Sequence, residues 1–140
     1  MKVILDTNVM VSGIFFKGPP YRILQIWKKG LFEIVISHEI LEEYRRVIYD
    51  LKDQFSHIDI SQLFELITLK AHFTLSLAMH PQICEDCDDD KYFFAALASK
   101  TTVIVSGDKH LLDKSGYSGI KVFKPKQFLD LYFSEIINVT

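Results

Sequence analysis

Apolar residues fall along this chain in short blocks, and the length and spacing of each block predict an element. Lys2-Val3-Ile4-Leu5 is brief and β-branched, which predicts a buried strand that runs straight into Asp6. Gly13 to Pro20 predicts a loop, with Pro19 and Pro20 opening a helix, where a missing amide costs nothing. Ile23, Leu24 and Trp27 then put one apolar stripe on a helix over Tyr21 to Lys29, and Gly30 supplies its stop. Phe32 to Ile36 predicts a second strand. Ser37 is placed to cap the next helix, whose apolar residues Ile40, Leu41, Tyr44, Val47, Ile48 and Leu51 keep helical spacing. Asp59 with Gln62 predicts a capped third helix reaching about Lys70.

Phe73 to Leu77 predicts another strand, followed by an acidic loop over Pro81 to Asp90. Lys91 to Ser99 is rich in Ala and Phe and apolar nearly all round, as expected of a helix laid on a sheet. Thr102 to Val105 and Ile120 to Phe123 predict two more strands, with a short helix around Leu111 and Leu112 between them. A terminal helix begins at Pro125 and carries Phe128, Leu129, Tyr132 and Phe133. Strands that alternate with helices, each strand a near-continuous apolar run, indicate a parallel sheet covered on both faces. One α/β domain over residues 1–140 accounts for the pattern, without repeats or a linker.

Composition narrows the classes. Half of the residues are hydrophobic (49%) and the formal net charge is −2, so the chain carries no global nucleic-acid footprint, although a local basic face can hide in such a balance. Charged residues or His interrupt each apolar run before the roughly 20 residues a membrane helix needs. The start of the chain has no secretion-type apolar stretch, and a cytoplasmic protein is expected. Cys84 and Cys87 are spaced C-x-x-C but sit beside Glu85, Asp86 and Asp88-Asp89-Asp90, which discourages a thiolate. The nearest histidine, His80, is poorly disposed to complete a zinc site. Reduced loop cysteines are expected.

The chemistry is carried by acids. In open parallel sheets it gathers beyond the carboxyl ends of the strands. Asp6 follows the first strand, Asp108 follows the Thr102–Val105 strand after Ser106-Gly107, and Asp90 stands at the start of the Ala/Phe-rich helix. At about 100° per residue, Glu42 faces solvent while Glu43 lies at the border of its helix's apolar stripe and can bend toward the same edge. Each acid has a plainer use as a helix cap or a solvated side chain. Together they would repel one another unless a cation sits among them, and an all-oxygen set suits Mg²⁺ or Mn²⁺. Metal-assisted phosphodiester hydrolysis follows from such a site.

Val3-Ile4-Leu5-Asp6-Thr7-Asn8, Ser37 with Glu43-Tyr44, Asp90 before Ala95-Ala96, and Val105-Ser106-Gly107-Asp108 resemble, in order and over nearly the whole chain, the motifs of a PIN domain. The likeness is strongest to the branch regarded as toxin components of prokaryotic toxin–antitoxin pairs. The resemblance implies a three-layer α/β/α sandwich with a central parallel sheet of about five strands. It also implies a Mg²⁺- or Mn²⁺-dependent endoribonuclease holding one or two ions. Asp6 and Asp90 would be the chief metal ligands, Glu43 a third carboxylate, and Asp108 would complete the site. Asn8 and Ser106 match supporting polar positions. RNA would be the substrate, an antitoxin protein and a second copy of the chain possible partners, and no membrane is involved.

Lys17, Arg22, Arg45, Arg46, Lys109 and His110 stand near segments that approach the acidic edge and could neutralise phosphates. His110 invites a general-acid role but is not needed for metal-activated water. Two other readings fit less well. A phosphoacceptor receiver domain needs an acidic pair after its first strand, and here there is one Asp. A PIN-like RNA- or protein-binding module without turnover would be expected to have lost acids.

Overall fold

A computed structural model describes residues 1–75 and 81–139, the last three as backbone. Five strands form one parallel sheet: β1 (Lys2–Leu5), β2 (Glu33–Ile36), β3 (His72–Phe73), β4 (Val103–Val105) and β5 (Lys121–Phe123), in the order β3-β2-β1-β4-β5. Helices flank the sheet, giving the three-layer α/β/α sandwich. They are α1 (Thr7–Phe15), α2 (Pro19–Lys28), α3 (His38–Leu51), α4 (Ile60–Lys70), α5 (Asp90–Ser99), α6 (Lys109–Leu112), α7 (Pro125–Tyr132) and α8 (Ser134–Val139). Chain order reverses between β1 and β4, whose register pairs Leu5 with Val105. That switch point opens a crevice at the carboxyl ends of these two strands.

β1, β2 and β4 are legible because their apolar residues are buried on both faces: Val3, Ile4, Leu5, Ile34, Val35, Ile36, Ile104 and Val105 are all fully enclosed. Each such side chain contributes about 1.5–3 kcal/mol by leaving water. α5 lies against β1, β2 and β4, and its Ala95 and Ala96 let the backbones approach. Trp27 of α2 and Phe93 of α5 are also buried, and Phe128 of α7 meets Phe32 edge-on at 5.7 Å.

Three expectations need correction. Gly13 to Phe15 is not loop but the last turn of α1. This helix has no polar stripe, since Thr7, Val9, Met10, Val11, Gly13 and Phe15 are all buried, and helical periodicity is therefore absent from its sequence. Gly13 stands inside it because α2 comes close: a Cβ there would lie 2.7 Å from Leu24 Cδ1 and 2.8 Å from the Pro20 carbonyl. The strand expected over Phe73 to Leu77 pairs only at His72 and Phe73, opposite Val35 and Ile36, and its residues 76 and 77 lie outside the described residues. After Phe133, where backbone torsions leave the helical range, the chain turns again into α8. Among the described residues no helix is long and apolar enough to cross a membrane.

Candidate active site

Asp6 is 3% exposed at the end of β1 and does two jobs. Its Oδ1 accepts from the Val9 amide at 2.8 Å, which starts α1, and its Oδ2 accepts from the Ser106 hydroxyl just beyond β4. Ser106 Oγ in turn accepts from the Asp108 amide at 2.9 Å, and Asp108 Oδ1 caps α6 through the His110 amide at 2.8 Å. The plainer capping roles of Asp6 and Asp108 are therefore real. They do not compete with a site, because the same caps hold both carboxyl groups at the switch point.

Glu43 is brought there by α3. Ser37 caps that helix through the Ile40 amide at 3.3 Å, and the buried Tyr44 hydroxyl donates to the Leu5 carbonyl, locking the helix to the end of β1. Glu42 points outward to Arg45. Glu43, with 16% of its side chain exposed, accepts from Thr7 Oγ1, from the Tyr92 hydroxyl at 2.6 Å and from Lys91 Nζ at 3.0 Å. Burial pushes its carboxyl up, but these three donors and the Lys91 charge outweigh burial and hold it below the usual range.

The acidic run behaves differently from expectation. Asp90, at 2% exposure, turns both oxygens onto backbone: Oδ1 accepts from the Cys84 amide at 2.7 Å and Oδ2 from the Ile83 amide at 3.1 Å. Asp89 instead faces the crevice, which is a hollow of about 140 Å³ walled by Asp6, Asn8, Glu43, Asp89, Tyr92 and Asp108. Cys87–Asp89 form a tight 3₁₀ turn ahead of α5, so the two neighbouring acids diverge. The structure thus brings Asp6, Glu43 and Asp108 together, adds Asp89, and withdraws Asp90. A larger cleft of about 600 Å³ runs between α1, α2 and α4, and none of the strand-end acids lines it.

Burial first, and then the charges of Asp108 and Asp89, push the Asp6 carboxyl up to about 6, against hydrogen bonds from Ser106 and Val9 that pull it down. Burial, then Asp108 and Asp86, push Asp89 to about 6 as well. The sign follows directly. A carboxyl whose folded value is raised above its unfolded one contributes stability below pH 4 that is lost as pH rises through about 6. In EDTA, the melting temperature is expected to fall from pH 4 to pH 6.5, the acids titrating as a coupled set. Mn²⁺ is expected to flatten that fall, and a melting series in both buffers checks it.

Of the remaining candidates, Asn8 lines the hollow and Ser106 bridges Asp6 to Asp108. Arg46 reaches Glu43 at 3.7 Å, and Lys17, Arg22 and Lys109 are exposed. His110 faces Glu85 at 3.5 Å. Cys84 and Cys87 are free thiols, and burial, followed by Asp90, pushes Cys84 up to about 12. His80 lies outside the described residues. Thr7, Lys91 and Tyr92 were not foreseen as working parts. A hydroxyl on an otherwise apolar helix was the available signal for Tyr92.

These residues fit a divalent cation. Every donor is a hard oxygen, and the burial that raises Asp6 and Asp89, with the smaller repulsion from their acidic neighbours, is a cost on their charged forms that a cation would offset. About 140 Å³ also leaves room for the several waters that such an ion retains. Among the described residues no three such groups already close tightly around one point.

Residues 2–110 match the family described as PIN domain. Over 143 residues the chain is 29% identical to the uncharacterized protein MJ1680 of Methanocaldococcus jannaschii, covering 93% of this chain and 90% of that one. The strand-end acids and the extent of the family match agree, and this chain belongs to the PIN domain family, whose members are generally nucleases that use divalent metal ions.

Proposed function

We propose that this chain is a Mg²⁺- or Mn²⁺-dependent endoribonuclease, a single domain over residues 1–140 that acts in the cytoplasm as the toxin of a toxin–antitoxin pair. The observation that carries the reading is the buried Asp6 at the end of β1, facing three further carboxylates, Glu43, Asp89 and Asp108, across a hollow open to solvent. A bound divalent ion would supply an activated water and neutralise charge on the phosphodiester. Asp6, Asp89 and Asp108 would hold it. Glu43, expected from the sequence as a further ligand, borders the same hollow, while Asp90 fixes the loop that precedes Asp89. Asn8 would orient water at the mouth, and Ser106 keeps Asp6 and Asp108 in register.

RNA would be drawn in through phosphate contacts from Lys17, Arg22, Arg46 and Lys109, each worth roughly one released counterion. An antitoxin protein and a second copy of the chain are the proposed protein partners. The test is cleavage of single-stranded and structured RNA with Mn²⁺, Mg²⁺ or EDTA. Cleavage confined to the metal-containing reactions is expected, together with a rise in melting temperature of several degrees at millimolar Mn²⁺, as any ligand of the native state produces. Metal-independent RNA binding without cleavage would instead identify a binding module.

A further inference from the structure

We propose that a second hollow, beside the acidic one, is a nucleobase subsite that takes guanine, with Asp113 and Lys114 reading the edge of the base. This rests on the ribonuclease reading and names the part of the RNA that lies next to the reacting phosphate. The second hollow has a volume of about 400 Å³. Ile83 and Cys84, 8% and 2% exposed, form its floor, and Gln82, Glu85, His110, Asp113 and Lys114 form its rim. α6 stands between the two hollows. Asp108 and Leu111 line the acidic one, while His110, Asp113 and Lys114, three and four residues apart, line the other. The floor is held in place by Asp90, which accepts from the Ile83 amide at 3.1 Å and the Cys84 amide at 2.7 Å. One carboxylate thus fixes this floor and leaves Asp89 to the metal hollow.

The rim favours a base over a phosphate. Its two carboxylates, Glu85 and Asp113, repel an anion, and the apolar floor suits an uncharged ring. Glu85 is engaged by His110 at 3.5 Å, and the Gln82 amide nitrogen donates to the Cys84 and Glu85 carbonyls at 2.9 and 3.1 Å. The Asp113 carboxylate and the Lys114 ammonium remain, neither with a hydrogen-bond or ion-pair partner among the described residues. An ionised carboxylate only accepts and an ammonium only donates. Guanine sets two adjacent donors, N1–H and the N2 amino group, beside the acceptor O6. Adenine and cytosine each offer one donor next to a ring acceptor, and uracil one donor between two acceptors. Guanine alone matches a carboxylate standing beside an ammonium.

The test uses a short single-stranded RNA with one guanosine, and the same RNA with inosine there, which lacks only the N2 amino group. Each is cleaved with Mn²⁺ by wild type and Asp113→Asn, and its binding is measured by fluorescence anisotropy in EDTA. Wild type is expected to cut next to the guanosine and to show kcat/KM about tenfold higher for guanosine than for inosine. Asp113→Asn is expected to bring that ratio close to one. The Asp113 side chain makes no bond among the described residues, so the variant should melt with wild type. Cuts scattered without regard to guanosine, with equal kcat/KM for the two RNAs, would overturn the subsite and leave the ribonuclease reading standing. A ratio that persists in Asp113→Asn would overturn the assignment of the reading residue. Should neither RNA be cleaved, the ribonuclease reading falls and binding in EDTA decides. Tighter binding of the guanosine RNA that is lost in Asp113→Asn would support the subsite, and equal binding of both RNAs would sink it.

Discussion

Asp6→Asn is expected to lower metal-dependent cleavage by on the order of 10³-fold or more while raising the stability of the metal-free protein at pH 7. The two effects share one cause. Asp6 is enclosed by β1, β4 and α1, and its charge is opposed there by burial and then by Asp108 and Asp89, which puts its carboxyl at about 6. A displacement of that size from 3.8 corresponds to roughly 3 kcal/mol of penalty on the ionised form at neutral pH. Asparagine removes the penalty, keeps an oxygen for the Val9 amide and gives up the charge-assisted bond from Ser106, so a net gain of about 1–2 kcal/mol is expected. Near pH 4, where wild-type Asp6 is protonated in the folded state, the gain should vanish. Melting curves in EDTA at pH 4 and pH 7, beside an RNA cleavage assay with Mn²⁺, provide the check. A variant less stable than wild type at pH 7 would mean that the cap outweighs the repulsion.

The second large effect separates two adjacent residues of the same type. Asp90→Ala is expected to cost about 2–4 kcal/mol, or roughly 10 °C in a domain of this size, because it strands the buried amides of Ile83 and Cys84. Asp90→Asn keeps one acceptor and should lose about half as much. Asp89→Asn breaks no hydrogen bond among the described residues and relieves repulsion from Asp108 and Asp86, so its metal-free stability should be unchanged or higher. Denaturant unfolding of the three variants in EDTA decides the matter. A larger loss for Asp89→Asn than for Asp90→Ala would show that the assignment of the two carboxylates is reversed. The two backbone donors to Asp90 are the reason the neighbouring acids differ.

The contrast between these acids shows where sequence reading works. Asp6 and Asp108 were legible because each follows a fully apolar strand, and a strand's end has a fixed place in a parallel sheet. Ser37 and Asp59 were legible as caps because capping depends on residues within one turn. α1 was hidden because burial on every side erases the periodicity that reveals a helix.

By itself, then, the sequence determined the sheet, most of the helices that flank it and the presence of several carboxylates at one edge, since all of these follow from local patterns of apolar and capping residues. Tertiary structure alone decided which carboxylates face the hollow. Asp89 ends the 3₁₀ turn and Asp90 opens α5, and the loop amides of Ile83 and Cys84 claim Asp90, which leaves Asp89 to the hollow. Glu43 owes its three hydrogen bonds to Thr7, Lys91 and Tyr92, from two other helices, and such meetings across the chain leave no periodic trace along it.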